Sequence, residues 1–257
     1  SALDSNWIPM LVREHPELVE EHFLLAETND REVALVWVDG KLSRVLGAGE
    51  QKLFWKGLRE IRTAVYDTVA EPAVPSGLLP ALLRLSTLRH NLLVLAMVED
   101  GKAGLLFLDQ KLTKLLEPGV HAFWNVGVTP RVELFELRTQ TLEIHGQEIL
   151  TEDKVTIRVN IWAEYRIADP VVARRAFVNP AEHVYKALQL AVRQSLGTRR
   201  LDTILQEKVD IDPAVAASLR QDLEQAGIRL GGAALKDIVL PGDIRDILNQ
   251  VVAAEKQ

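Results

Sequence analysis

The chain has 257 residues, enough for two small domains or one elongated one, and 47% hydrophobic with 26% charged residues describes a folded protein. A formal net charge of −6 lacks the dominant basic stripe that nucleic acid requires, and no polybasic segment is present to hold an anionic bilayer by electrostatics alone. Cysteine is absent, which excludes disulfides, thiolate metal sites and thiol catalysis and fits a reducing compartment.

The start, Ser1 to Asp4, has neither the basic region nor the apolar core of a signal peptide. It also lacks an initiator Met, so a processed or engineered start is expected, with any membrane anchor left outside the sequence. The first organised feature is a repeat. The stretch from Val33 to Gly49 returns from Ala103 to Gly119, with Asp39/Asp109, Lys41/Lys111, Leu42/Leu112, Leu46/Leu116 and Gly49/Gly119 matching at an offset of 70. Trp37/Phe107, Ser43/Thr113, Arg44/Lys114 and Phe54/Trp124 are conservative pairs at the same spacing, and Phe23 to Ala26 aligns with Leu93 to Ala96. Asn29-Asp30 and Asp100-Gly101 stand where a tight hairpin turn is wanted. Each unit therefore reads as a leader helix, a strand, a turn, a second strand, an Asp-led turn and a third strand closed at glycine. Glu71 to Gly77, rich in proline, is the linker between the units. The longest strictly apolar run, Leu92 to Val98, falls far short of the roughly 18 residues of a spanning helix, so this stretch of chain reads as soluble.

Downstream, apolar and polar residues alternate from Val155 to Ile167, which predicts a long half-buried antiparallel strand stopped by Asp169-Pro170. Asn179-Pro180 is a cap followed by proline at the first helical position; Val184, Leu188, Ala191 and Val192 form that helix's apolar stripe and Gly197 ends it. Further helices are predicted over about Leu201 to Val209 and from Asp212-Pro213 to Gly227. Ile228 to Leu240 reads as a strand broken at Gly231-Gly232. Pro241 opens a last helix with Ile244, Ile247, Val251 and Ala254 at seam spacing, shorter than the three or four heptads of a true coiled coil. It runs into the final residue, as a truncated chain would.

The motifs Leu137-Arg138 to Val155, Tyr165-Arg166-Ile167-Ala-Asp169-Pro170, Leu190 to Gly197, Leu201-Asp202 and Lys236 to Pro241 resemble the stomatin/prohibitin/flotillin (band-seven, or SPFH) family, specifically its bacterial slipin branch. The resemblance covers roughly Leu92 to Val252 in the family's order and spacing; Ser1 to Asp67 is reached only through the repeat. It implies an α+β fold of tandem antiparallel β-hairpin sub-domains, an SPFH-type α+β sub-domain and the start of an assembly helix. The expected divisions are residues 1–70, 71–140, 141–241 and 242–257. It also implies homo-oligomers or rings attached to a membrane, at the cytoplasmic face of a bacterial inner membrane, with partners such as a membrane protease or channel. Bilayer contact would come through segments outside this sequence.

No catalytic, metal or cofactor constellation stands out. None of His15, His22, His90, His121, His145 and His183 has a partner at metal-ligand spacing. Gly47-Ala-Gly49 lacks the third glycine of a dinucleotide fingerprint, and there is no phosphate-binding or nucleophile-elbow motif. Glu20-Glu21, Glu152-Asp153 and Asp210/Asp212 read as turns and caps. Phe54-Trp55 and Phe123-Trp124 are candidates for a membrane interface, with core positions in a small β unit the simpler reading. Ile244, Ile247 and Val251 are the candidate assembly residues, against the plainer reading of one amphipathic helix on its own domain. Arg174-Arg175 and Arg199-Arg200 read as solvated helix ends in preference to intersubunit pairs. The expected function is a non-enzymatic scaffold of stomatin type; the alternative is a soluble module that recruits a protease or chaperone without forming rings.

Overall fold

The computed structural model describes residues 2–3, 7–57, 59–85, 88, 90–206 and 213–246, and the chain divides into two compact units, Ser1–Leu134 and Phe135–Gln257. The first unit holds both repeats. Strand β1 (Ala2–Leu3) is followed by helices α1 (Ile8–Glu14) and α2 (Pro16–His22), each with proline in its first turn. Five strands follow: β2 (Phe23–Glu27), β3 (Glu32–Val38), β4 (Lys41–Leu46), β5 (Gln51–Trp55) and β6 (Ile61–Asp67). They form two three-stranded antiparallel sheets, in the orders β1-β5-β2 and β4-β3-β6.

The second repeat rebuilds this plan. Helix α3 (Leu79–Leu83) and a 3-10 turn (His90–Leu92) lead into β7 (Leu93–Val98), β8 (Lys102–Leu108), β9 (Lys111–Leu116), β10 (Gly119–Trp124) and β11 (Pro130–Glu136). Strand β7 pairs with β10 as β2 does with β5, and β8 lies between β9 and β11 as β3 lies between β4 and β6. The short strand β1, opposite Leu53 and Phe54, has its counterpart in a bridge from Ala73 to Phe123. The correspondence reaches irregularities. Both hairpins bulge at one place, between Val36 and Trp37 and between Leu106 and Phe107. Arg62 lies 4.8 Å over the Trp37 ring, and Arg131 lies 4.5 Å over Phe107.

One alignment is corrected. Phe54 faces Leu24, and Phe123 faces Val94, so Phe54 matches Phe123 and the spacing falls from 70 to 69 beyond the third strand. Gly119, paired with Val98, occupies the ladder position that Glu50 holds opposite Thr28, because the turn before β10 is one residue shorter.

Each repeat has its own small core. In the first, Ala26, Ala34, Val36, Leu46 and Phe54 pack together; in the second, Val98, Leu106, Leu116 and Phe123. A larger cluster joins the repeats, with Val33, Leu35 and Val45 from the first against Leu82, Leu92, Ala122, Trp124 and Val126 from the second. Burial on this scale contributes about 1.5–3 kcal/mol for each large side chain.

The second unit is a three-stranded antiparallel sheet, β12 (Gln140–Leu150), β13 (Thr156–Ile167) and β14 (Ile228–Val239), with β13 central and helices α4 (Pro170–Ala176), α5 (Pro180–Gly197), α6 (Leu201–Gln206) and α7 (Pro213–Gln225). The alternation of β13 puts Ile157, Val159, Ile161, Ala163, Tyr165 and Ile167 into a core shared with Val184, Leu188, Ala191, Val192 and Leu196 of α5. Strand β14 is continuous rather than broken. Gly231 and Lys236 are extra residues taken up as bulges, at the register shifts opposite Glu164/Tyr165 and Asn160/Ile161. Residues 242–246 are helical, and Ile244 packs against this core.

Candidate assembly and docking surfaces

The sequence-predicted residues fall into three classes by position. Phe54 is 5% exposed, Phe123 4% and Trp124 fully buried, so these three fill cores and do not reach a surface. Inward strand positions explain this, since each points into a sheet-to-sheet or repeat-to-repeat core. Trp55 differs. It is 47% exposed and its ring lies 4.3 Å from Phe23. Trp124 occupies the matching place in the second repeat, where the first repeat's Val33, Leu35 and Val45 join the same cluster. Ile244 is half-buried on its own unit, while Ile247 and Val251 lie outside the described residues.

The ionisable groups serve structure. Asp153 accepts hydrogen bonds from the Thr151 hydroxyl (2.7 Å) and the Leu201 N–H (3.1 Å), which hold its carboxyl below the usual range and tie a loop to the start of α6. Asp169 and Asn179 cap α4 and α5 with their side-chain oxygens. His15, His22 and His145 lie beside Glu17, Glu21 and Glu143, and His121 contacts the Glu117 carbonyl. His183 stacks on Phe177 at 3.6 Å, and partial burial lowers its pKa. Among the described residues no group of three or more His, Asp or Glu side chains is placed to hold a metal ion, and no helix is long and apolar enough to cross a membrane.

One concave feature went unread in the sequence. Helices α1 and α2 stand beside the edge strand β2, and between them runs a groove of about 410 Å³ lined by Val12, Pro16, Val19, Phe23, Leu24 and Leu25, with Glu20 and Lys56 also in its wall. The signal was available in Pro16, which splits the expected single leader helix into two and turns Val19 toward the strand. In the second repeat a 3-10 turn, His90–Leu92, leads into β7, and Leu95, Met97 and Val120 are exposed.

The second unit is an antiparallel α+β module whose long central strand is wrapped by one long and several short helices, preceded by tandem β modules. Residues 96–257 match the SPFH domain / Band 7 family, and the chain belongs to that family. It is 24% identical over 160 residues to a stomatin homolog of Pyrococcus horikoshii, covering 62% of this chain and 59% of that protein. It is 27% identical over 150 residues to stomatin of Mus musculus, covering 57% and 51%. An uncharacterized protein of Archaeoglobus fulgidus is 27% identical over 163 residues, covering 62% and 64%. The matched region thus spans between about half and two thirds of these relatives. The first repeat lies outside the family match.

Proposed function

We propose that this protein is a non-enzymatic scaffold that self-assembles at a membrane and organises or regulates membrane proteins, a membrane protease or a channel among them. Membership of the SPFH family carries the reading. Several described ionisable residues support it, since Asp169 caps a helix, Asp153 is bound within a loop, and His15, His22 and His145 lie beside glutamates. Assembly would run along the helix that begins at residue 242, with Ile247 and Val251 as its seam. A modest contact suffices there because a ring multiplies it. The bilayer is held through segments outside this sequence, at the cytoplasmic face of a bacterial inner membrane. Trp55 is the exposed one of the four candidate aromatics and would be the one to meet an interface.

The test is light scattering together with liposome flotation of the natural full-length protein. Assembly and flotation are expected, and Ile247→Asp with Val251→Asp should reduce the assembly to monomers without changing the melting temperature of the second unit. A full-length protein that stays monomeric and does not float rules the scaffold out. Turnover of a generic ester, peptide or phosphate substrate, lost on one carboxylate substitution, would overturn its non-enzymatic part.

A further inference from the structure

The groove beside β2 is built like a receptor for an added strand. In the sheet order β1-β5-β2, β2 is an edge. The bonds Lys56 N–H to His22 carbonyl and Thr28 N–H to Glu50 carbonyl fix the phase of its pairing with β5. Residues 22, 24, 26 and 28 therefore turn their backbone groups toward β5, and Phe23, Leu25 and Glu27 turn theirs outward. The Phe23 N–H is taken by the Val19 carbonyl at the end of α2. What the edge offers is the Phe23 carbonyl and both groups of Leu25 and Glu27. Along this edge lies the apolar groove walled by α2, within the size range of small-ligand sites.

Charge and direction narrow the occupant. Lys56, whose ammonium donates to the Glu20 carbonyl at 2.5 Å, stands at the Phe23 end of the groove. A strand added antiparallel to β2 would bring its C-terminus to that end. Its last residue would donate an N–H to the Phe23 carbonyl. Its own carboxylate, with no Phe23 N–H to receive it, would meet the Lys56 ammonium. An added strand running parallel would place an ammonium there instead and be repelled. We infer that the first repeat binds the free C-terminal tail of a partner protein as an extra β-strand, apolar side chains at alternate positions in the groove and the terminal carboxylate on Lys56.

The second repeat is an internal control. Its edge strand β7 has the same phase, fixed by the Asn125 N–H on the Leu92 carbonyl, so Leu93, Leu95 and Met97 face outward. Yet Asn125 stands where the first repeat has Lys56, its side chain donates to the Asn91 carbonyl at 3.0 Å, and a 3-10 turn, His90–Leu92, leads into the strand. The inference concerns the first repeat alone and does not depend on the scaffold reading.

Fluorescence anisotropy tests it with the dye-labelled hexapeptide Ser-Val-Ser-Val-Ser-Val, as free acid and as C-terminal amide, on the full chain. The acid is expected to bind in the micromolar range and the amide about tenfold more weakly. Lys56→Met should bring the acid down to the amide's affinity and leave the amide unchanged. Glu20→Gln, which removes a neighbouring negative charge, should tighten the acid. A peptide N-methylated at the position facing Leu25 should lose binding, with circular dichroism confirming that each variant is folded. Equal affinities for acid and amide, or no acid binding at millimolar peptide, overturn the inference. So does decanoate competing fully while N-methylation has no effect, since the groove would then take fatty acids.

Discussion

Asp39 and Asp109 do one job at two places. Both hold left-handed backbone, φ 52° and 48°, at the start of the β3–β4 and β8–β9 turns. Each accepts a backbone N–H on its carboxylate, from Glu60 at 3.1 Å and Thr129 at 2.9 Å, and so ties its turn to the entry of the third strand of its sheet, β6 or β11. The following residue is also left-handed, and here the repeats differ: Gly40 at φ 78° against Gln110 at φ 66°. A side chain in that region costs about 1–2 kcal/mol relative to glycine. Gln110→Gly should therefore raise stability by about 1 kcal/mol, while Asp109→Ala, losing a hydrogen bond, should lower it by about 1–2 kcal/mol. Urea unfolding of the two variants checks both signs. The His183 ring, stacked on Phe177, is the clearest pH-sensitive residue. Burial disfavours its charged form and lowers its pKa from 6.5. Its contribution to folding is thus fully present above pH 6.5 and declines as pH falls through that value. The urea midpoint should drop between about pH 7 and pH 5.5, and His183→Phe should flatten that part of the profile.

At the scale of elements, what could be read from the sequence was whatever a single period or cap determines. The alternation from Val155 to Ile167 became β13, and Asn179-Pro180 started α5 at the expected residue. The same cap-and-proline signal at Asp169-Pro170 reads first as the end of a strand. In the structure it also starts α4, because the carboxylate that stops the strand accepts the N–H groups of Val171 and Val172. Bulges were hidden for a different reason. Gly231 interrupts an apolar pattern, but a strand absorbs one extra residue by kinking, and only the register along β13 reveals it. The repeat was visible to the level of individual turns, yet a one-residue difference in turn length moved the match of Phe54 from Trp124 to Phe123. The groove beside β2 depends on which strand lies at a sheet edge, and local sequence does not carry that information.

The first repeat supplies part of the second repeat's core, and this matters for the molecule as a whole. Trp124 is fully buried in the cluster joining them, while Trp55, its counterpart in the first repeat, is half-exposed. The family match begins at residue 96, inside the second repeat, so Val33, Leu35, Val45, Leu82 and Leu92 of the shared core lie outside the matched region while Ala122, Trp124 and Val126 lie within it. A protein starting at Glu71 would keep every element from α3 onward but uncover Leu92, Trp124 and Val126, leaving a contiguous apolar surface. Exposing such a patch drives self-association in a soluble protein. The shortened chain should therefore scatter light as a larger particle than the intact one and unfold at lower urea. Replacing Leu92 and Val126 with Ser in the shortened chain should return its scattering toward that of the intact chain, because it removes the apolar surface that the missing repeat covers. Should the shortened chain scatter no more than the intact one and keep an unchanged unfolding midpoint, the two repeats would have to be independent modules, and the Val33–Leu35–Val45 face would contribute nothing to the second.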